Sequence, residues 1–314
     1  MTDFGKCIIF GVALSSFLVL SCSSESITPP VFNAKRSFTY LTDQVDFGPR
    51  VPGTEASARC RTYFYQFFDS LGIPVDSQVF DYFDPYSQTE FSMVNVIGSY
   101  KSPSNADTDK ILLMAHYDCR PRADFASTPE LQLKPIDGAN DGASGVAVLM
   151  EIANHLAMID PGLDVDIVFV DGEDWGQSGD INNYLLGSKE FARRGIRNKY
   201  IFGIVVDLVG DADLNIYRER YSEENAKPLN DLIFETAAKL SAAGFIDTVK
   251  YAIQDDHLPL IAAGVPAINI IDFDYAYWHT EEDTPDKCSP QSLESVGKVL
   301  LEVIYRKTLW QKIK

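Results

Sequence analysis

Acids and imidazoles recur in stretches where little else is polar: "AHYD" at 115–118, "VDGEDWG" at 170–176 and "IQDDHLPLI" at 253–261. The last sets Asp255, Asp256 and His257 against an apolar run, which is not how a solvated charge cluster reads. Asp141, in "DGANDGASG", lies just before a helical run. Asp207 lies within or at the end of a strand-like stretch, and His279 follows another in "YWHTEEDT". Each alone has a bland reading: Asp141 as a helix N-cap, Asp118 as a turn residue, a lone histidine as a satisfied core group. Six segments with the same character carry more weight than any one. Three of the four histidines fall in them, and the fourth, His155, sits within a helical run and is given no role. Carboxylates with imidazoles and no clustered cysteines suit zinc in a catalytic site. In Glu173–Asp174, adjacent side chains at a strand end point different ways. One can bind metal while the other faces substrate, as a metal-assisted general base requires.

The elements that must position these residues are legible as alternating runs. Dense aliphatic stretches at 110–116, 164–170, 201–209 and 266–272 read as buried strands, and the more alternating 76–83 and 92–100 as flanking antiparallel ones. Helical runs cover 55–72, 144–158, 225–244 and 289–309. Strands alternating with helices predict an α/β fold with a mixed, largely parallel central sheet flanked by helices. Ligands in open sheets of this class bind outside the carboxyl ends of the strands, where the polar residues cluster. No Pro- or Gly-rich linker divides residues 33–314, which predicts one domain.

The net charge of −18 makes a surface that repels nucleic acid and anionic headgroups, so nucleic acid is excluded as a partner. Lys6 and the apolar run Cys7–Leu20 have the length of a signal peptide core rather than a membrane span. Ser21 before Cys22 resembles a bacterial lipobox. This predicts residues 1–21 as a signal peptide, Cys22 as a lipidated new N-terminus, and 22–32 as a tether. The expectation is an exported periplasmic or outer-membrane lipoprotein, attached to the membrane through that lipid only. Cys60, Cys119 and Cys288 remain, enough for one disulfide and a spare thiol but no disulfide scaffold.

From about Phe47 onward the chain resembles the zinc aminopeptidase superfamily, which also contains the glutaminyl cyclases. The stretches that carry the resemblance are "FGPRVPGT" (47–54), "AHYD", "DGANDGASG" (137–145), "DGEDWG" (171–176), "VVDLVG" (205–210), "DDHLPLIAAGVPAINI" (255–270) and "WHTEEDT" (278–284). For the peptidases, the resemblance implies two zincs on His116, Asp141, Asp174, Asp207 and His279, with Glu173 as base. For the cyclases, it implies one zinc per chain on Asp141, Asp174 and His279, with N-terminal Gln peptides or proteins as substrates. Peptidases of this superfamily commonly have Ser-Asp-His where this chain has Asp255-Asp256-His257, as the cyclases do. Two carboxylates in close contact disfavour double ionisation and can share a proton. The expectation is therefore that Asp255 engages Asp207, holds it away from a second metal, and completes a catalytic relay of Glu173, Asp255 and Asp207. His116 is then a residual second-metal or supporting group. Trp278 resembles an aromatic wall of the cyclases, with Trp175 and Tyr184 as further substrate-binding candidates. Asn269 stands where the animal cyclases carry a His. The resemblance thus implies a zinc-dependent glutaminyl-peptide cyclotransferase that forms pyroglutamate and releases ammonia. A two-zinc aminopeptidase is the alternative, and a non-catalytic binding module on the same fold a remote one.

Overall fold

The computed structural model describes residues 1–2, 27–105 and 109–313. The expected signal peptide from residue 3 onward, Cys22, and the tether as far as residue 26 lie outside them. Among the described residues no helix is long and apolar enough to cross a membrane.

Among the described residues there are eight strands: β1 (Val75–Asp84), β2 (Thr89–Tyr100), β3 (Lys110–His116), β4 (Asp164–Val170), β5 (Gly203–Asp207), β6 (Ile216–Arg218), β7 (Phe245–Val249) and β8 (Ala267–Ile271). Six of them form one sheet in the order β1-β2-β4-β3-β5-β8. β3, β4, β5 and β8 run parallel, while β1 and β2 add an antiparallel hairpin at one edge. The mixed, largely parallel sheet of the sequence reading is therefore what forms. Alternation along each strand fills two cores. Ile111, Leu113, Ile167, Phe169, Ile204 and Val206 face one layer, and Leu112, Met114, Val168, Val170 and Val205 the other.

The helices are α1 (Ala34–Val45), α2 (Glu55–Ser70), α3 (Pro129–Gln132), α4 (Ala143–Met158), α5 (Leu186–Arg193), α6 (Arg220–Asn225), α7 (Lys227–Lys239), α8 (His257–Ala262) and α9 (Pro290–Tyr305). Helix α4 is buried along nearly its whole length and packs with α1 and α9 on one face of the sheet. It sits so close that a Cβ on Gly145 would lie 2.1 Å from the Val206 carbonyl oxygen, so only glycine fits. Helices α5 and α8 cover the other face.

Two elements differ from the sequence reading. The helical run 225–244 holds a shorter helix, α7 at Lys227–Lys239, which Pro228 in its first turn separates from the short α6 at Arg220–Asn225 before it. Asp255, unlike most of the clustered polar residues, does not follow a strand of the main sheet. β7 pairs with β6 in a separate two-stranded sheet, and Asp255 arrives on the turn that opens α8.

Candidate active site

The carboxyl ends of β3, β4 and β5 deliver His116, the Glu173–Asp174 turn and Asp207 to one rim. The start of α4 brings Asp141, the start of α8 brings Asp255, and the loop after β8 brings His279. All of these except His116 line one cavity of about 530 Å³, whose wall includes Asp141, Glu173, Asp174, Asp207, Asp255 and His279.

Asp141 lies between two sets of ligand-type atoms. His279 Nε2 is 3.5 Å from Asp141 Oδ2 and 3.3 Å from Asp174 Oδ1. His116 Nε2 is 3.3 Å from Asp141 Oδ1 and 3.1 Å from Asp207 Oδ1. Tetrahedral zinc with bonds of about 2.0–2.2 Å needs ligand atoms roughly 3.3–3.6 Å apart. The quoted distances of the His279 set fall within that spacing, while the 3.1 Å between His116 and Asp207 is slightly shorter. The two are not equivalent, however. Asp141 Oδ2 and Asp174 Oδ2 are buried with no hydrogen-bond partner, whereas His116 Nε2 and Asp207 Oδ1 are hydrogen-bonded to each other. Unpaired buried carboxylate oxygens are costly unless something else satisfies them, and a cation does so. Asp141, Asp174 and His279 fit zinc.

The supporting contacts come from residues within or beside the motifs to which the sequence reading gave no role at the site. Asp118 accepts hydrogen bonds from the backbone N–H groups of Glu173 and Asp174, both at 3.2 Å, and its Oδ1 lies 3.4 Å from His116 Nδ1. It joins the end of β3 to the turn after β4. Asp283 accepts from the N–H groups of Asn140 and Asp141 at 2.8 and 3.0 Å and from the Tyr275 hydroxyl at 2.8 Å. Burial and the nearby charge of Asp141 push its carboxyl up to about 7. Arg120, 1 % exposed, donates to Asp174 Oδ1 at 2.7 Å. Gly142, at φ +107, follows Asp141; a Cβ there would stand 2.5 Å from the Asp118 carbonyl oxygen. His279 and Leu208 adopt the left-handed region at φ +56 and +50, conformations a non-glycine residue holds only where its surroundings impose them.

Charge is concentrated here. Enclosure, then the neighbouring Asp174, Asp255 and Asp256, raise the Glu173 carboxyl well above its ordinary range. Burial likewise raises Asp207, opposed by His116 and reinforced by Asp255. At Asp174 burial pushes upward, yet His279 and Arg120 outweigh it and hold the carboxyl below its usual range. Asp256, fully buried and without a hydrogen bond to either oxygen, is raised well above its ordinary value by burial and by Asp255.

Of the residues singled out by sequence, Trp278 lines the cavity and stacks on His279 with centroids 3.8 Å apart, and Tyr184 lines it too. Trp175 does not. Its indole N–H donates to Asp84 and its ring packs on Phe91 at the β1–β2 hairpin, so it braces the turn rather than forming the wall. Asp255 accepts from the Asn269 side chain and the Asp256 amide, and Asp207 remains 3.1 Å from His116 instead of being drawn away from it. Asn269 is thus the partner of Asp255. Cys60, Cys119 and Cys288 are all buried free thiols, and burial pushes the first two up to about 12. Asp283 and Arg120 escaped the sequence reading. Glu281, Glu282 and Asp283 are chemically alike on the page, and nothing in "HYDCR" marks the arginine as buried.

Several known proteins share this architecture. A glutaminyl cyclase from Bacteroides thetaiotaomicron, solved with N-acetylhistamine bound, is 37% identical with a TM-score of 0.83, over 88% of this chain and 99% of that one. A leucine aminopeptidase precursor from Bacteroides thetaiotaomicron VPI-5482 is 36% identical, also at 0.83, over 89% and 99%. The glutaminyl-peptide cyclotransferase of Boiga dendrophila is 25% identical over 80% of this chain and 75% of its own length. Residues 95–304 match the profile of peptidase family M28, an interval that holds every site residue from His116 to Asp283. The chain belongs to peptidase family M28.

Proposed function

We propose that this protein is a zinc-dependent glutaminyl-peptide cyclotransferase, converting N-terminal Gln of peptides or proteins to pyroglutamate with release of ammonia. Overall similarity does not separate cyclase from aminopeptidase, since both kinds of neighbour superpose equally well. The observation that carries the reading is Asp255, a buried carboxylate on the cavity wall at the position where the peptidases carry Ser. Export and lipidation at Cys22 belong to the same proposal and rest on the N-terminal sequence alone.

Zinc on Asp141, Asp174 and His279 would supply Lewis-acid polarisation of the substrate γ-carboxamide carbonyl. The chain's own residues do the rest. Glu173 accepts a proton from the α-amino group as its nitrogen attacks the γ-carbonyl carbon. It then returns that proton to the nitrogen that leaves as ammonia. One C–N bond forms and one breaks, so no oxidant or water is consumed. Asp118 fixes Glu173 through its backbone N–H, and Asn269 fixes Asp255. Trp278, with Phe125 packed on it at 5.4 Å, walls off the head of the substrate from solvent. One zinc is favoured because the unpaired acceptor oxygens lie in the Asp141–Asp174–His279 set.

The convergence of His116, Asp141 and Asp207 favours a second reading, a two-zinc aminopeptidase. Incubation of zinc-loaded protein with a Gln-initiated peptide separates them. The cyclase releases ammonia and leaves a pyroglutamyl peptide, whereas free glutamine with a shortened peptide would overturn the proposal.

A further inference from the structure

Tyr184 is held on three sides. Its carbonyl oxygen accepts from Lys189 Nζ at 2.6 Å, its ring lies so close to Gly176 that a Cβ there would meet it at 2.1 Å, and its hydroxyl oxygen accepts from Arg120 Nη2 at 2.9 Å. The arginine is equally fixed. Nη1 donates to the side chain and carbonyl of Asp174, Nε donates to Asp124, and the group is almost wholly buried. A guanidinium has only donors. The Tyr184 oxygen is therefore the acceptor in that bond, and its own proton must go to another acceptor. Among the described residues the hydroxyl makes no other hydrogen bond, and the side chain lines the same cavity as Glu173, Asp174 and His279.

Resting on the cyclase reading, we propose that the Tyr184 hydroxyl, oriented by Arg120, donates a hydrogen bond to the γ-carboxamide oxygen of the glutaminyl substrate. One guanidinium bridges this hydroxyl and Asp174, so the donor stands near the carboxylate proposed to hold the metal and on the wall of the same cavity. A cation behind the phenol polarises the O–H bond and makes it a stronger donor. As the α-amine attacks, negative charge builds on the carboxamide oxygen, and a fixed donor aimed there stabilises the transition state more than the ground state. Tyr184 is then a catalytic residue, and Arg120 a positioning residue acting partly through it.

The test is steady-state ammonia release from a Gln-initiated peptide by the zinc-loaded enzyme. Tyr184→Phe keeps the ring and removes only the hydroxyl. Loss of one such donor costs about 10²-fold in kcat, with KM changed less than about threefold and zinc content equal to wild type. A purely structural role for the hydroxyl would leave kcat alone. In an Arg120→Lys background the same substitution should cost under about threefold, because the phenol is no longer aimed. Wild type that releases no ammonia overturns both the cyclase reading and this proposal. Active wild type with Tyr184→Phe within threefold in kcat overturns the assignment of Tyr184 alone. Equal losses in both backgrounds overturn the orienting role of Arg120.

Discussion

Replacing Asp283 by Asn changes one atom yet breaks a three-donor arrangement. The Asn140 and Asp141 amides and the Tyr275 hydroxyl all point at its two oxygens, and its side chain is fully buried. An amide offers one oxygen and one NH2, so at least one backbone N–H loses its acceptor and meets another donor. A buried donor left unsatisfied costs about 1–3 kcal/mol. In a domain of this size that is roughly 2–10 °C in Tm. The displaced amide belongs to Asp141 itself, so zinc affinity should fall about 10–100-fold, as it does when partners behind metal ligands are removed. Thermal unfolding with and without chelator measures the first effect, and zinc titration against a competing chelator the second. Asp286→Asn, in the same loop but exposed and bonded to Thr284, is the control and should change neither. An Asp283→Asn protein with Tm within 1 °C and zinc affinity within threefold of wild type would refute the idea that Asp283 holds the Asp141 loop.

Three further outcomes are expected. Glu173→Gln should lower turnover by about 10²–10⁴-fold and keep its zinc; loss of the metal would show that the roles of Glu173 and Asp174 are wrongly divided. Metal analysis should find one zinc in wild type; two tightly held zincs would favour the aminopeptidase. For pH, burial alone would raise Glu219, but its hydrogen bonds with His257 and the Tyr221 and Ser222 amides lower it from 4.5 to about 2. A depressed carboxyl adds stability that is full above its unfolded value and lost on acidification toward its folded one. The stability gap between wild type and Glu219→Gln, measured by denaturant unfolding, should therefore be constant above about pH 5 and shrink as pH falls toward 2; a gap that stays constant would exclude the linkage.

What was legible in the sequence follows from what a pattern can encode. β3 and β4 were bounded to the residue because both faces of each are buried, leaving unbroken apolar runs with an acid or imidazole just beyond. Asp141, Asp174, Asp207 and His279 were found because side chains of their types have few uses in concert. Direction was not legible. Trp175 and Trp278 each flank a proposed zinc ligand, yet only the chain path turns one into the β1–β2 hairpin and the other onto His279. Nor could spacing pair Asp255 with Asn269 or Arg120 with Asp174, contacts that span 14 and 54 positions and depend on how α8 and β8 and the turns after β3 and β4 are placed.

The reach of Asp283 across 142 positions to the Asp141 amide closes a long loop of chain. Asp141 and Asp174 belong to its first part and His279 to its end, so no short segment brings the three together by itself. An ion held on them would favour the closed loop by mass action. A chelator should then act on such a loaded protein as a denaturant acts, by loosening the two ends of that loop.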